Sequence, residues 1–206
     1  MLTRSRGVTL IELLIVVAII ALGTALAVPG LRTWTANAQM RSSAVALQAS
    51  LKLAQSEAVR SFRQVVFYRT SDTSCSANAA ADAAGARWVV KILPLVAGGT
   101  ATVTQCGVML DNAETFSVSG PTAVCFGANG RPLQLTTSQT GLGVGCSSGT
   151  NGRIIYGFAP SVTTSNLRKL QVWLTLGGTI RSCESTRLLS DSVPDGCPEI
   201  NQTPTS

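Results

Sequence analysis

Few residues in this sequence could do chemistry, and their pattern excludes most catalytic readings. There is no histidine among the 206 residues, which removes His-based triads, imidazole proton shuttles and His metal ligands. A hydrolase would then need a Ser–Lys pair or paired carboxylates. Lys52, Lys91 and Lys169 stand in helix or strand patterns without an S-x-x-K spacing, and the acidic residues are scattered. No Gly-rich phosphate loop and no Ca²⁺-loop spacing occurs. The expectation is a protein that is not an enzyme and takes no cofactor or metal. Two features stand out. Six cysteines (Cys75, Cys106, Cys125, Cys146, Cys183 and Cys197) occur without a C-x-x-C pair. Glu12 lies in an otherwise apolar run, where a carboxylate costs up to about 2.5–3.5 kcal/mol near a bilayer centre and less near its interface. A carboxylate so placed calls for a cation.

The run that holds Glu12 is long. Residues 13–31 (LLIVVAIIALGTALAVPGL) carry no charge over 19 residues. With Val8–Ile11 the stretch reaches 24 residues, interrupted only by Glu12. A helix of that length is about 36 Å long, enough to span a hydrocarbon core. Arg4 and Arg6 precede it and favour a cytoplasmic N-terminus. A cleaved secretory signal fits poorly, because the run is long and Ala25–Ala27 stands before Val28-Pro29. A plain membrane anchor leaves Glu12 unexplained. The net charge is +6, and setting aside Arg4 and Arg6 leaves +4 on the remainder. That balance does not suggest a dedicated nucleic-acid binder.

The elements follow from periodicity. Pro29-Gly30 predicts a kink in the first helix. Beyond Arg32, Ala44, Leu47, Leu51, Ala54, Ala58 and Phe62 recur at spacings of three and four. Arg41, Ser42, Gln48, Lys52, Gln55, Ser56, Arg60 and Arg63 fall opposite. This predicts an amphipathic helix whose apolar stripe packs on a sheet. Short β-branched or aromatic runs predict strands at Val65–Tyr68, Trp88–Leu93, Thr115–Val118 and Ala123–Phe126. Residues 168–176 alternate, with Leu170, Val172, Leu174 and Leu176 on one face and Gln171, Trp173 and Thr175 on the other. Gly177-Gly178 predicts a two-residue hairpin into Thr179-Ile180-Arg181, and Asn129-Gly130 and Asn151-Gly152 predict turns. Segments 71–86, 97–101 and 136–152 read as loops, and 190–206 as a loose tail.

Gly7-Val8-Thr9-Leu10-Ile11-Glu12-Leu13-Leu14 resembles the class III signal of type IV pilins and type II secretion pseudopilins. The resemblance implies cleavage between Gly7 and Val8 by a prepilin peptidase, N-methylation at Val8, and retention of the apolar helix. Phe is the family's preferred residue at the Val8 position. Glu12 matches the family's glutamate in type and spacing, and the Val8 α-amino group of a neighbouring subunit would be its cation. Similar pilins also carry a proline at the place of Pro29. More narrowly, the chain resembles the GspH/FimT group of minor pseudopilins and minor pilins. The matching segments are Gln55–Arg60, Val65–Phe67, Trp88, Phe126–Arg131 and the strand pair Leu174–Cys183.

The implied fold is α+β and pilin-like: a long N-terminal helix on an antiparallel β-sheet head with disulfides. The implied parts are a leader (1–7), an apolar transmembrane and filament-core helix (8–31), an amphipathic helix (32–63), a periplasmic β head (64–189) and the tail (190–206). The implied role is a minor pseudopilin of a type II secretion system, at the tip or in priming of the pseudopilus. The alternative is a minor type IV pilin for pilus assembly. Implied partners are other pilin or pseudopilin subunits, the prepilin peptidase, an inner-membrane assembly platform and membrane lipid before assembly. The implied location is the bacterial inner membrane, single-pass with the head in the periplasm, and then a filament.

An even cysteine count behind an export segment reads as disulfides in an oxidising space. Six cysteines allow 15 pairings, of which the local one is Cys75–Cys106, Cys125–Cys146 and Cys183–Cys197. Some FimT-type pilins bind DNA in natural transformation through a C-terminal G-R-x-R motif. Here that place reads Gly178-Thr179-Ile180-Arg181, so half the motif is missing. Arg168, Lys169 and Arg181, with Arg153 and Arg187, are the candidate DNA contacts, opposed by Glu184. Cations spread this widely more often make a solvated face than a phosphate site.

Overall fold

A threonine opens the first helix. Thr9 Oγ1 accepts from the Glu12 N–H at 3.3 Å, and its carbonyl accepts from the Leu13 N–H at 3.2 Å. Thr9 is thus an N-cap in a T-x-x-E pattern, which satisfies donors that the first turn would leave open. Helix α1 then runs from Leu10 to Ser61, 52 residues, with helical backbone across Pro29. The structure, a computed structural model, describes residues 9–96, 98–110, 116–147, 149, 152–160, 167–194 and 196–198, with only the backbone at 26–29 and 32. The expectations for Arg4, Arg6, Gly7, Val8, Thr115, Asn151 and the tail from 199 fall outside the described residues.

The chain divides into two units, Met1–Ala38 and Gln39–Ser206. In the first, large aliphatic side chains from Leu10 to Leu22 are exposed. Among the described residues no helix is long and apolar enough to cross a membrane.

In the second unit α1 buries Met40, Ala44, Leu47, Leu51, Ala54 and Ala58. That stripe has the expected spacing of three and four residues. It ends one turn earlier than predicted. The helix stops at Ser61, and Phe62 takes a left-handed φ of 54° with its side chain 80% exposed. Phe62 therefore does not belong to the buried face.

Among the described residues the head contains two antiparallel sheets where the sequence suggested one. Strands β1 (Val65–Thr70), β2 (Arg87–Ile92), β3 (Thr102–Val108), β5 (Ala123–Phe126) and β6 (Pro132–Leu133) form a sheet in the order β3-β2-β1-β5-β6. Strands β4 (Phe116–Ser119), β7 (Arg153–Pro160), β8 (Leu170–Thr175) and β9 (Ile180–Glu184) form the second, in the order β4-β7-β8-β9. Phe67 of β1 meets Tyr156 of β7 edge to face at 6.5 Å between ring centroids, so the two sheets share a core there. Trp88 stacks on the same Phe67 at 6.3 Å.

On its other face the first sheet is covered by loops. Val66, Tyr68, Val89, Ala123 and Cys125 pack with Ala79, Leu135 and Cys146. The 136–152 loop is not wholly irregular, since Thr137–Thr140 forms a short helix α2 closed by Gly141 in a left-handed conformation. In β8, Val172 and Leu174 are buried as expected, but Leu176 lies beyond the strand and is 48% exposed. The turn after it is wider than two residues, because β8 ends at Thr175 and β9 begins at Ile180. The chain is tied back to the region after β9 at Cys197. Leu189 N–H donates to the Cys197 carbonyl at 2.8 Å and Cys197 N–H to the Arg187 carbonyl at 2.6 Å.

One side chain of α1 reaches both sheets at once. Gln55 Nε2 donates to the Gly130 carbonyl and to the Gly178 carbonyl, each at 2.8 Å. Gly130 lies in the β5–β6 turn and Gly178 in the β8–β9 turn, so one amide ties α1 to both sheets. Gln48 Nε2 makes a longer bond, 3.4 Å, to the Ile180 carbonyl. Both glutamines were expected on the solvent side, and both face the head. Gly178 has φ +90°, and a Cβ there would stand 2.6 Å from Gln55 Nε2 and 2.8 Å from the Gly130 oxygen. Gln55→Ala leaves two partly buried carbonyls without their donor and is expected to cost about 1–3 kcal/mol. Gln55→Glu is expected to cost more at neutral pH, since it turns a carboxylate toward two carbonyl acceptors. Urea unfolding of the three proteins side by side checks the order; equal stability of wild type and Gln55→Ala would refute the tie.

Candidate functional site

The N-terminal site is the first turn of α1. Glu12 is the third residue of the helix and its side chain is exposed. Its position in the first turn suits a carboxylate, because the helix N-terminus carries partial positive charge. The sequence also carries a capping pattern in Thr9-x-x-Glu12, a local role for Glu12 beside the one that the pilin resemblance implies. The expected cleavage pair Gly7-Val8 lies just outside the described residues. Pro29 lies inside α1, where its ring removes one backbone donor.

The head carries three disulfides: Cys75–Cys106, Cys125–Cys146 and Cys183–Cys197. Each links a strand to a neighbouring segment. Cys106 of β3 holds the 71–86 loop, and Cys125 of β5 holds the end of the 134–146 segment. Cys183 of β9 holds the chain near its end. The last bridge also covers Trp173, which packs with Cys183, Cys197 and the partly buried Ile155. The face of β8 opposite Val172 and Leu174 is therefore buried at Trp173 rather than left to solvent.

The 71–86 loop is held further by carboxylates. Asp72 accepts from the Ser74 N–H and Oγ at 2.8 Å each, and Asp82 accepts from the Ala84 N–H at 2.8 Å and from the Ser71 hydroxyl. These bonds hold both carboxyls below the usual range. Arg69, buried in β1, donates from Nε to the Gly85 carbonyl at 3.2 Å, and its backbone carbonyl accepts from the Asp82 N–H at 2.8 Å. Burial pushes the Arg69 guanidinium down and the Tyr156 phenol up. Burial likewise lowers Lys91, whose ammonium donates to the Ala77 carbonyl at 3.1 Å.

The candidate DNA contacts fall at two places, Arg153 and Arg181 beside Trp173, and Arg168 and Lys169 at the entry to β8. Arg168 is 3.5 Å from Glu184. Lys169 is exposed at the start of β8, where its carbonyl accepts from the Ser185 N–H. Arg181 is exposed on β9 opposite Trp173. Four residues of strand separate Lys169 from that register position, about 13 Å. Arg153 lies over the Trp173 ring at 5.8 Å. Among the described residues no group of three or more His, Cys, Asp or Glu could hold a metal ion.

A long, threonine-capped helix followed by a disulfide-braced head of antiparallel sheets defines a pilin-like α+β protein. Residues 2–28 match the model of the prokaryotic N-terminal methylation motif, and residues 43–178 match that of the type II transport protein GspH. The second match covers more than half of the chain, and the chain belongs to the GspH family. Among solved structures it is similar to the Pseudomonas aeruginosa type IV minor pilin FimU, with 18% identity, covering 72% of this chain and 90% of that one at a TM-score of 0.47. It is also similar to the minor pseudopilin EpsH from the Vibrio cholerae Type 2 Secretion System, with 13% identity, covering 71% and 97% at a TM-score of 0.44.

Two predictions follow from the head. In the loop-closure description, bridging the 14 residues from Cys183 to Cys197 stabilises by about 3 kcal/mol. The double variant Cys183→Ser, Cys197→Ser should unfold earlier in urea and red-shift the emission of Trp173; an unchanged spectrum would show that the bridge does not cover the indole. Asp72 and Asp82 have depressed folded pKa values, so their contribution is present above the ordinary carboxylate range and is lost as pH falls through the folded values. The Ser74 and Ala84 amide resonances should titrate with midpoints below about 3.9. A midpoint at or above that value would contradict the loop bonds.

Proposed function

We propose that this chain is a minor pseudopilin of a type II secretion system, a structural subunit of the periplasmic pseudopilus that acts at its tip or in priming and is needed for protein secretion. The observation that carries the reading is the GspH match over residues 43–178, which takes in the last part of α1 and most of the head. The N-terminal methylation motif at residues 2–28 supports the route by which the subunit matures. Residues 1–7 are the leader. Prepilin peptidase cuts between Gly7 and Val8 on the cytoplasmic side, and Val8 becomes the methylated N-terminus. Residues 8–31 anchor the subunit in the inner membrane and later enter the filament core. Residues 32–63 and the head stand in the periplasm, where an oxidising space keeps the three bridges closed.

Assembly follows from charge. Glu12 is harmless at a lipid interface but costly in an apolar filament core without a counter-ion. The α-amino group freed at Val8 of a neighbouring subunit supplies it and sets the stagger between helices. Pro29 lowers the cost of bending α1 as the subunit passes from the membrane to the filament, because one backbone bond is already missing there. Partners are the other pseudopilins, the peptidase and the inner-membrane assembly platform.

The test is intact mass and N-terminal sequencing of the membrane-bound protein, with the peptidase present and absent. A methylated Val8 terminus only when the peptidase is present is the expected result; a retained Met1, or a cut near Ala27, would overturn the reading. Glu12→Ala should be processed normally yet poorly incorporated into filaments. Deleting the subunit should abolish secretion of folded exoproteins. Loss of surface pili with secretion intact would favour a minor type IV pilin instead.

A further inference from the structure

We infer that Trp34 is a lipid-interface anchor, and that it seats Glu12 at the opposite face of the bilayer before the subunit leaves the membrane. The inference rests on the membrane-inserted reading above and adds a residue, a depth and a partner. Trp34 is 69% exposed, whereas the other two tryptophans, Trp88 and Trp173, are 9% and 8% exposed. An exposed indole is costly in water and has a ready use at a membrane surface, where its apolar body and polar N–H face different media.

The helix beneath it says what the partner is. Leu10, Ile11, Leu13, Leu14, Ile19 and Leu22 are all well exposed. Residues at such spacings point in every direction around a helix, so hydrocarbon clothes the whole circumference. A stripe would suit one protein neighbour; an apolar coat all round suits lipid as solvent. The chemistry changes just before Trp34. Leu31 ends the apolar run, and Arg32, Thr33, Thr35, Asn37, Gln39 and Arg41 follow. A tryptophan beside an arginine at that boundary has the composition of a headgroup-level belt.

The spacing ties the two ends together. Twenty-two residues separate Glu12 from Trp34, and the backbone is helical throughout. That is about 33 Å of helix against a hydrocarbon core of about 30 Å. With Trp34 at the periplasmic headgroups, Glu12 reaches the cytoplasmic boundary, where a carboxylate costs little. Glu12 then needs its counter-ion only once the helix moves out of lipid. A subunit that sat deeper or shallower would carry its charge into hydrocarbon or its indole into water.

The test uses the full chain in phosphatidylcholine–phosphatidylglycerol vesicles, with Trp34→Phe subtracted to isolate the Trp34 emission. The expected result is a blue shift on insertion, protection from acrylamide, and stronger quenching by a doxyl group near the headgroup than by one near the acyl end. Stronger quenching by the deep probe, or acrylamide quenching as in water, would overturn the anchor. Release of the chain by alkaline carbonate would overturn the membrane reading as well, whereas a retained chain with a water-exposed Trp34 would overturn this inference alone. The depth claim is read with Glu12→Cys and a membrane-impermeant maleimide. Labelling should fall when Trp34→Leu is added, and unchanged labelling would sink the seating role.

Discussion

The Gln55 amide is the constraint on which the geometry of the head depends. Its nitrogen has two hydrogens, and each is donated to a carbonyl in a turn of a different sheet. Burial of Ala44, Leu47, Leu51, Ala54 and Ala58 supplies the driving force for docking α1, but apolar contact has no direction. A helix held only by small apolar residues could slide or rotate by part of a turn at modest cost. Two hydrogen bonds to turns at Gly130 and Gly178 fix its rotation and its height at once. The close approach at Gly178 belongs to the same constraint, because a side chain there would push into the amide and the opposing turn.

Around that point the head is braced from outside as much as from within. Few charged residues are available, so ion pairs contribute little; Arg60–Glu57 lies within one helix, and Arg168–Glu184 is a long pair with an exposed arginine. The bracing falls to the covalent links. Each bridge joins a regular strand to a segment that has little secondary structure of its own. The 71–86 loop, the 134–146 segment and the chain after β9 would each bury little apolar surface alone, and each is stapled where it crosses a sheet. Cys125 and Cys146 also lie in the core cluster with Tyr68 and Leu135, so that bridge packs as well as it links.

The parts of this architecture that the sequence made legible are those set by local spacing. The apolar stripe of α1 could be read because neighbours at three and four residues share a face. The alternation of Leu170 to Leu174 could be read because strand side chains alternate. Phe62 broke the extrapolation because periodicity does not say where a helix stops. Gln55 was missed because an amide on a helix looks like solvent-facing polarity until the carbonyls that it meets are known, and those come from residues 75 and 123 positions away. Strand β7 was also missed, although Ile154, Tyr156 and Phe158 alternate and are all buried. Gly157 and the flanking turn signals masked it. That the strands divide into two sheets is a statement about pairing at long range, which no local pattern contains.

One helix carries two kinds of surface. From Leu10 to Leu22 the exposed side chains are hydrocarbon on every side. From Gln39 onward the same helix keeps a narrow buried stripe and a polar remainder. The second unit has its own core, its own sheets and all three bridges. In the proposed function the anchor exchanges lipid for protein while the head, with its own core and bridges, stays folded. The exchange costs little for leucine and isoleucine, because hydrocarbon meets hydrocarbon in both places. It is costly for a single carboxylate. In the proposed assembly the glutamate supplies the specificity that the aliphatic surface cannot: any apolar neighbour satisfies Leu13 or Ile15, but only one that brings a cation to the level of Glu12 satisfies the helix as a whole.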